Sequence, residues 1–169
     1  MSDSEPTPNY KALGQARLAA GQTADTDEDW GRVFNTDGPF PFTWGRFWKL
    51  YVQYRVADLE SEIGFFMDTL GLESNIFCAE QVVLTSPDRD FHFSIVPTPE
   101  GGTPTPPDSI LLSFMIQELD ETVATLKARG IEFQAAPAPV AEDDPMSRAA
   151  CRTPNGVQVE LWEFRPPSE

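Results

Sequence analysis

The residues able to carry acid–base, nucleophilic or metal chemistry are few in this chain. There is one histidine, His92, and there are two cysteines, Cys78 and Cys151. A nucleophile activated by an imidazole would depend on His92, and the chain has no Gly-rich phosphate loop, GxSxG turn or HExxH pair. The cysteines form no CxxC pair and lie in strand-like segments, so we predict two buried free thiols rather than a disulfide or zinc site. These absences exclude most common enzyme classes.

A second group of candidate residues is aromatic. Alternation along a strand places Tyr51 and Gln53 on one face and Tyr54 on the other. Together with Phe114 or Trp162, they would form an aromatic-walled pocket that suits a flat or cationic ligand through stacking and cation–π attraction. The alternative is that these rings belong to the ordinary core.

The elements that must position these residues repeat along the chain. Leu50–Val56 is predicted as a strand and Asp58–Leu70 as a helix, with Asp58 as its N-cap and Gly71 as its stop. Three further strands are predicted, at Asn75–Ala79, Gln81–Leu84 and Phe91–Val96. After a linker rich in Gly, Pro and Thr, the same order is predicted again: strand Ile110–Ile116, helix Leu119–Arg129, then strands Ile131–Gln134, Ser147–Arg152 and Val157–Phe164.

The openings of the two halves also match in sequence. Val56–Glu60 and Ile116–Asp120 each read as an apolar strand end, an acidic residue and a leucine. A repeated pattern in the same order indicates an internal duplication. We therefore predict an α+β domain over residues 46–167, built from two tandem βαβββ modules at about 46–100 and 108–167.

Residues 1–45 form a separate N-terminal extension in this interpretation. Asn9 is predicted to cap a short helix through Ala20, ahead of an acidic run. Seven large aromatic side chains lie in the extension or just after it: Trp30, Phe34, Phe40, Phe42, Trp44, Phe47 and Trp48. Because such rings are costly to leave in water, we expect the extension to dock on the main body or on a second subunit.

Charge and terminal sequence restrict the partners. The 169 residues include 12 Lys and Arg against 27 Asp and Glu, a formal net charge of −15. Such a surface repels nucleic acid and anionic membrane, and its acidity suits a cationic ligand or simply serves solubility. The N-terminus has no basic, apolar leader and no segment is apolar enough to span a bilayer, so we expect a cytoplasmic protein.

Two motifs resemble a known superfamily. Val56-Ala57-Asp58-Leu59, with Phe65-Phe66 and Leu70-Gly71, resembles the opening of a vicinal oxygen chelate module, and Thr153 to Leu161 is similar to the closing strand of the second module. This superfamily includes glyoxalases, bleomycin-resistance proteins and dioxygenases, and the resemblance covers residues 49–165. It implies sheets curled into an incomplete barrel around a cleft, and a homodimer.

The resemblance also implies a divalent metal held by up to four side chains in the cleft. The corresponding positions here are Tyr51, Leu111, Ser94 and Glu160. Only Glu160 keeps a typical ligand, so we expect no metal; if one binds, Glu160 and His92 are its predicted ligands.

The residues and the resemblance together leave three candidate functions. The first is a metal-free, bleomycin-resistance-like protein without a cofactor, binding a small cationic or aromatic molecule through Tyr51, Gln53, Ser94, Leu111, Phe114 and Trp162. The second is a metal-dependent lyase, isomerase or ring-cleaving dioxygenase with Glu160 and His92 as catalytic residues. The third is a non-catalytic interaction module. Glu160 is alternatively a relic paired with Arg55 or Arg152, and His92 a hydrogen-bonded structural residue.

Overall fold

The computed structural model describes residues 9–35, 41, 43, 52–141 and 144–165. Contacts divide the chain into two units, Met1–Trp44 and Gly45–Glu169. Five of the seven aromatic residues expected to be covered by this docking lie outside the described residues: Phe40, Phe42, Trp44, Phe47 and Trp48.

The first unit contains two helices, α1 (Tyr10–Thr23) and α2 (Asp27–Phe34). The predicted cap of α1 is confirmed, since Asn9 Oδ1 accepts a hydrogen bond from the Ala12 N–H at 3.1 Å. Helix α2 was not predicted, although Thr26 and Asp29 form a reciprocal capping box at its start. Neither helix has a buried residue. What covers their exposed aromatic side chains stays a prediction.

In the second unit, the first module begins with strand β1 (Val52–Val56) and helix α3 (Leu59–Ile63), which continues as a π-helical segment over Gly64–Thr69. Strands β2 (Glu73–Cys78), β3 (Gln81–Thr85) and β4 (His92–Pro97) complete a sheet of order β1-β4-β3-β2, in which β1 and β4 are parallel.

The predicted ends of the first module's helix are confirmed. Asp58 Oδ1 accepts from the Ser61 N–H at 3.0 Å, and Gly71 has a φ of +84° just after the helix. The hydrogen bonds from Ser61 lower the pKa of Asp58 below its ordinary value. The π-helical segment was not predicted; it places Phe65 and Phe66 together in the core.

The second module repeats this topology. It contains β5 (Leu111–Met115), α4 (Leu119–Ala128), β6 (Ala138–Pro139), β7 (Met146–Arg152) and β8 (Gln158–Phe164), in the sheet order β5-β8-β7-β6. The predicted strand Ile131–Gln134 is wrong. Phe133 makes one isolated bridge to Cys151, and the paired edge is the short β6. The prolines at 137 and 139 have no N–H to donate, which limits pairing at this edge.

Both modules pack their helices into one shared core. Alternate residues of each sheet face the helix side, among them Tyr54, Phe93, Ile95, Val159 and Leu161. Across the modules, the rings of Phe91 and Phe114 lie 5.5 Å apart between centroids. The opposite side of each sheet, turned away from its helix, is here called the open face.

A turn of the second module is bonded to the helix start of the first. The Asn155 side chain accepts from the Ala57 and Asp58 N–H groups at 3.1 and 2.9 Å, and donates to the Asp58 carbonyl at 2.7 Å and to Glu62 Oε2 at 2.8 Å. Glu62 is fully buried and also accepts from the Tyr54 hydroxyl at 2.9 Å. Burial and the neighbouring Glu62 carboxylate raise the pKa of Tyr54, so its hydroxyl stays protonated.

The prediction of two buried thiols is half right. Cys151 is buried, and burial raises its pKa to about 11. Cys78 is exposed instead, because it ends β2, the outermost strand in the four-stranded sheet β1-β4-β3-β2. Among the described residues there is no helix of the length and apolar content required to cross a bilayer.

Candidate functional site

The strand pairings place three predicted site residues and Ser113, which sequence reasoning missed, at equivalent positions of the two modules. In the first module Gln53 pairs with Ser94 across β1 and β4, and in the second Ser113 pairs with Glu160 across β5 and β8. All four side chains lie on the open faces, because their neighbours along each strand pack against the helices. Ser94 and Glu160, which the resemblance places at corresponding positions of the two modules, also occupy corresponding positions in the two sheets.

Glu160 is the centre of a polar cluster on the second open face. Glu160 is 3% exposed, and its carboxylate accepts from Arg148 Nη1 at 3.0 Å, Gln158 Nε2 at 2.9 Å and Trp162 Nε1 at 2.9 Å. The Arg148 guanidinium also lies over the Trp162 ring, 5.6 Å from its centroid. These four residues are called the Glu160 cluster below.

The ion pair of Glu160 is with Arg148, so the predicted pairing with Arg55 or Arg152 is wrong. Arg152 lies on the same strand as Arg148, but its guanidinium donates to Asp108 at 3.1 Å and to the Gly156 carbonyl. Sequence reasoning missed Arg148, Gln158 and the donor role of Trp162. The spacing of Gln158, Glu160 and Trp162 along one strand is the pattern that would have placed them side by side.

Of the four positions where the family holds a metal, the three that the structure describes do not suit one. Leu111 offers no donor atom, and the Ser94 hydroxyl is buried and accepts from Gln81 Nε2 at 2.9 Å. Glu160 already accepts from three donors, one of them a cation that would repel a metal ion. Tyr51 lies outside the described residues. Within the part of the chain that the structure describes, no three His, Cys, Asp or Glu side chains are grouped to hold a metal.

A cavity of about 250 Å³ lies where β5 approaches the starts of β1 and β4, and it is called the seam cavity. Both modules line it, with five apolar or aromatic side chains of the sheets, the ring of Phe91, and two polar groups: Val52, Phe91, His92, Phe93, Leu111, Leu112, Ser113 and Phe114. Three of the predicted site residues, His92, Leu111 and Phe114, therefore meet at one cavity.

The remaining predicted residues that the structure describes do not line that cavity. Gln53 is exposed on β1, Ser94 is buried beside Gln81, and Trp162 belongs to the Glu160 cluster. Phe114 lies on the helix side of β5, the opposite face from Glu160, since it pairs with the core residue Leu161. It therefore reaches the seam cavity from the core and does not share a wall with Trp162.

The comparison with known families decides the identity. The model of the glyoxalase/bleomycin resistance protein/dioxygenase superfamily matches residues 50–161. The chain belongs to this superfamily. No curated protein matches it in sequence.

Several solved structures share this fold. A glyoxalase/bleomycin resistance protein/dioxygenase from Nocardioides is 18% identical with a TM-score of 0.58, covering 75% of this chain and 89% of its own. A virulence protein from Salmonella typhimurium is 19% identical with a TM-score of 0.56, covering 68% and 94%. A superfamily member from Sphaerobacter thermophilus is 20% identical with a TM-score of 0.52, covering 68% and 96%. At these identities the similarity shows the fold alone.

Proposed function

We propose that this superfamily member binds a small organic ligand with an aromatic ring in the seam cavity, without a metal ion. The observation that supports it is the lining of the cavity. Phe91, Phe93 and Phe114 supply aromatic walls, and His92 and Ser113 supply polar groups at the same place. Apolar walls with a few convergent polar groups are the usual composition of a small-molecule site.

The size of the cavity favours a small ligand. Its volume of about 250 Å³ is below the range of roughly 300–1,000 Å³ typical of sites for drug-sized molecules. A single substituted ring is therefore the expected size. Residues of both modules line the cavity, so binding depends on the packing of one module against the other.

The alternative of a metal-dependent lyase, isomerase or dioxygenase has weaker support. Its chemistry requires coordination sites left for substrate oxygens beside several protein donors. At the family's positions, Leu111 has no donor, Ser94 is bonded to Gln81, and Glu160 is bonded to a guanidinium. The proposal therefore has His92 and Ser113 as the polar residues beside the organic ligand, and it includes no metal ligand.

The test is a titration of the full chain with the neutral probe benzamide, followed by NMR of the protein. Saturable shifts are expected for residues lining the seam cavity. Ser113→Phe places a ring in the cavity and should abolish the shifts. Met115→Phe is the matched control, because Met115 is on the same strand and face, is 66% exposed and does not line the cavity.

The outcomes separate clearly. Saturable binding to the wild type and to Met115→Phe, lost in Ser113→Phe, would support the seam cavity as the site. Binding that Ser113→Phe leaves unchanged would place the ligand elsewhere and contradict the proposal.

A further inference from the structure

We infer that Arg148 is an anion anchor, so that the ligand of the seam cavity is a small aromatic acid whose carboxylate contacts the Arg148 guanidinium. This inference rests on the proposed function and adds the chemical class of the ligand. It follows from how the Glu160 cluster distributes its charges, and it replaces the expectation of a cationic ligand.

The carboxylate of the cluster is not available to a ligand. Glu160 is 3% exposed, and three donors occupy its two oxygens. A cationic ligand would have to displace the Arg148 guanidinium to reach it. The negative charge at this position is therefore compensated inside the protein.

The guanidinium of the cluster is available. The Arg148 side chain is 46% exposed, while its Nη1 donates to Glu160 and its Cζ lies over the Trp162 ring. A guanidinium has five N–H donors in a fixed planar fork, so one bond to Glu160 leaves donors for a second carboxylate. The contacts with Glu160 and Trp162 also fix the side chain in advance, which reduces the entropy lost when a ligand binds.

The cluster and the cavity are neighbours through Ser113. This residue lines the seam cavity and is the direct strand partner of Glu160. Adjacent strands lie about 4.8 Å apart, so Ser113 and Glu160 are side by side where the cavity borders the cluster. Arg148 does not line the cavity, so a ligand with its ring in the cavity would extend its carboxylate past Ser113 to reach the guanidinium. Ser113 is exposed and able to donate its hydroxyl to the same carboxylate.

The net charge of −15 opposes an anionic ligand only at long range. At an ionic strength of 0.15 M, interactions between exposed charges fall off over about 8 Å, so the contact with Arg148 dominates once the ligand is seated. Added salt screens this repulsion as well as the attraction to Arg148, so it should change the affinity for an aromatic acid only modestly.

The experiment compares benzoate with benzamide, which have the same shape and differ in charge. We expect the wild type to bind benzoate about tenfold more tightly than benzamide, because a hydrogen bond to a charged group contributes more than a neutral one. In Arg148→Gln this preference should fall to about onefold. Arg148→Lys, which keeps the charge and loses the fork, should retain an intermediate preference.

Arg152→Gln is the matched control. Arg152 is on the same strand, its side chain is 42% exposed against 46% for Arg148, and it is bonded to Asp108. The same change in net charge at this position should leave the benzoate preference intact.

Each result has one meaning. A benzoate preference lost in Arg148→Gln and kept in Arg152→Gln supports the anchor. Equal binding of both probes, abolished by Ser113→Phe, overturns the anchor and leaves the proposed function standing. A preference unaffected by Arg148→Gln also overturns the anchor, and no binding of either probe contradicts both proposals.

Discussion

In the first module Gln81 Nε2 donates to Ser94 Oγ at 2.9 Å, and in the second Arg148 Nη1 donates to Glu160 Oε1 at 3.0 Å. The two pairs occupy equivalent places. Gln81 precedes the strand partner of Ile95, as Arg148 precedes the strand partner of Leu161. One duplicated donor–acceptor contact is therefore neutral in the first module and charged in the second. At this pair of equivalent positions, the ionised side chains therefore lie on the open face of the second module.

The turns between the third and fourth strands differ in the same way. In the first module the Ser86 hydroxyl accepts from the Asp90 N–H at 2.9 Å, within an exposed turn. In the second, Asn155 reaches out of the turn to the buried Glu62 of the other module. The second module therefore supplies both the charged cluster and the bonds that fix the two modules together.

The largest effect is expected from placing the second module's carboxylate in the first. Ser94→Glu buries a carboxylate at a position of 0% exposure without an arginine beside it. It should lower the free energy of unfolding by about 3 kcal/mol or more. Adding Gln81→Arg should recover part of this loss, with a coupling of about 1–2 kcal/mol in a double-mutant cycle by urea denaturation. Equal losses in the single and double variants would show that the two pairs are not equivalent.

The second effect concerns the inter-module bonds. Asn155→Ala leaves the buried Glu62 carboxylate with fewer donors, so the free energy of unfolding should fall by about 2–3 kcal/mol. Ser86→Ala in the equivalent turn removes one exposed bond and should cost less than about 0.5 kcal/mol. Urea denaturation of both variants measures the difference, and similar losses in the two would contradict the role of Asn155 in joining the modules.

The third effect tests the donors around Glu160. Glu160→Gln keeps the shape but turns an amide N–H₂ group toward one of the three donors, and should cost about 1–2 kcal/mol. Ser94→Ala in the first module removes a neutral bond to Gln81 and should cost about 1 kcal/mol or less. Tryptophan fluorescence should shift only in the Glu160 variant, because Trp162 donates to this carboxylate. An unchanged spectrum and stability in Glu160→Gln would mean that the cluster is not formed in solution.

The smallest effect concerns the thiols and leaves stability unchanged. Cys78 of the first module is exposed, and Cys151 of the second is buried with its pKa raised to about 11. Since the thiolate is the reactive form, Cys151 should stay unmodified at pH 8–9 in the native protein and react as pH approaches 11 or on unfolding. A thiol-reactive dye should therefore label one site per native chain at pH 8. Rapid labelling of Cys151 at that pH would contradict its burial.

Most of the fold was predictable because two kinds of pattern agreed. Period-2 and period-3.6 apolar spacing identified both helices and most strands of the domain, and the repeated openings at Asp58 and Glu118 identified the duplication. The predictions failed at two places where the local sequence is compatible with more than one backbone conformation. The π-helical segment depends on how Phe65 and Phe66 pack, and Ile131 joins the core rather than starting a strand.

Less of the candidate site was predictable. Alternation placed Gln53 on one face of its strand, and the resemblance to the superfamily placed Ser94 and Glu160 at corresponding cleft positions, but neither selects the partner of Glu160. Arg148 and Arg152 share one strand face, and the choice between them depends on Asp108 and Trp162, which bind one arginine each. These contacts arise from tertiary packing. The spacing of residues along the chain does not predict which arginine contacts Asp108 and which contacts Trp162.

The most direct test of a metal-free site is elemental analysis of the full chain, gently purified and then dialysed after addition of manganese, iron, nickel or zinc. Because Arg148, Gln158 and Trp162 already bond Glu160, we expect each metal to remain far below one ion per chain. Retention of one ion per chain, lost in Glu160→Ala, would show that Glu160 is a metal ligand and would contradict the metal-free site.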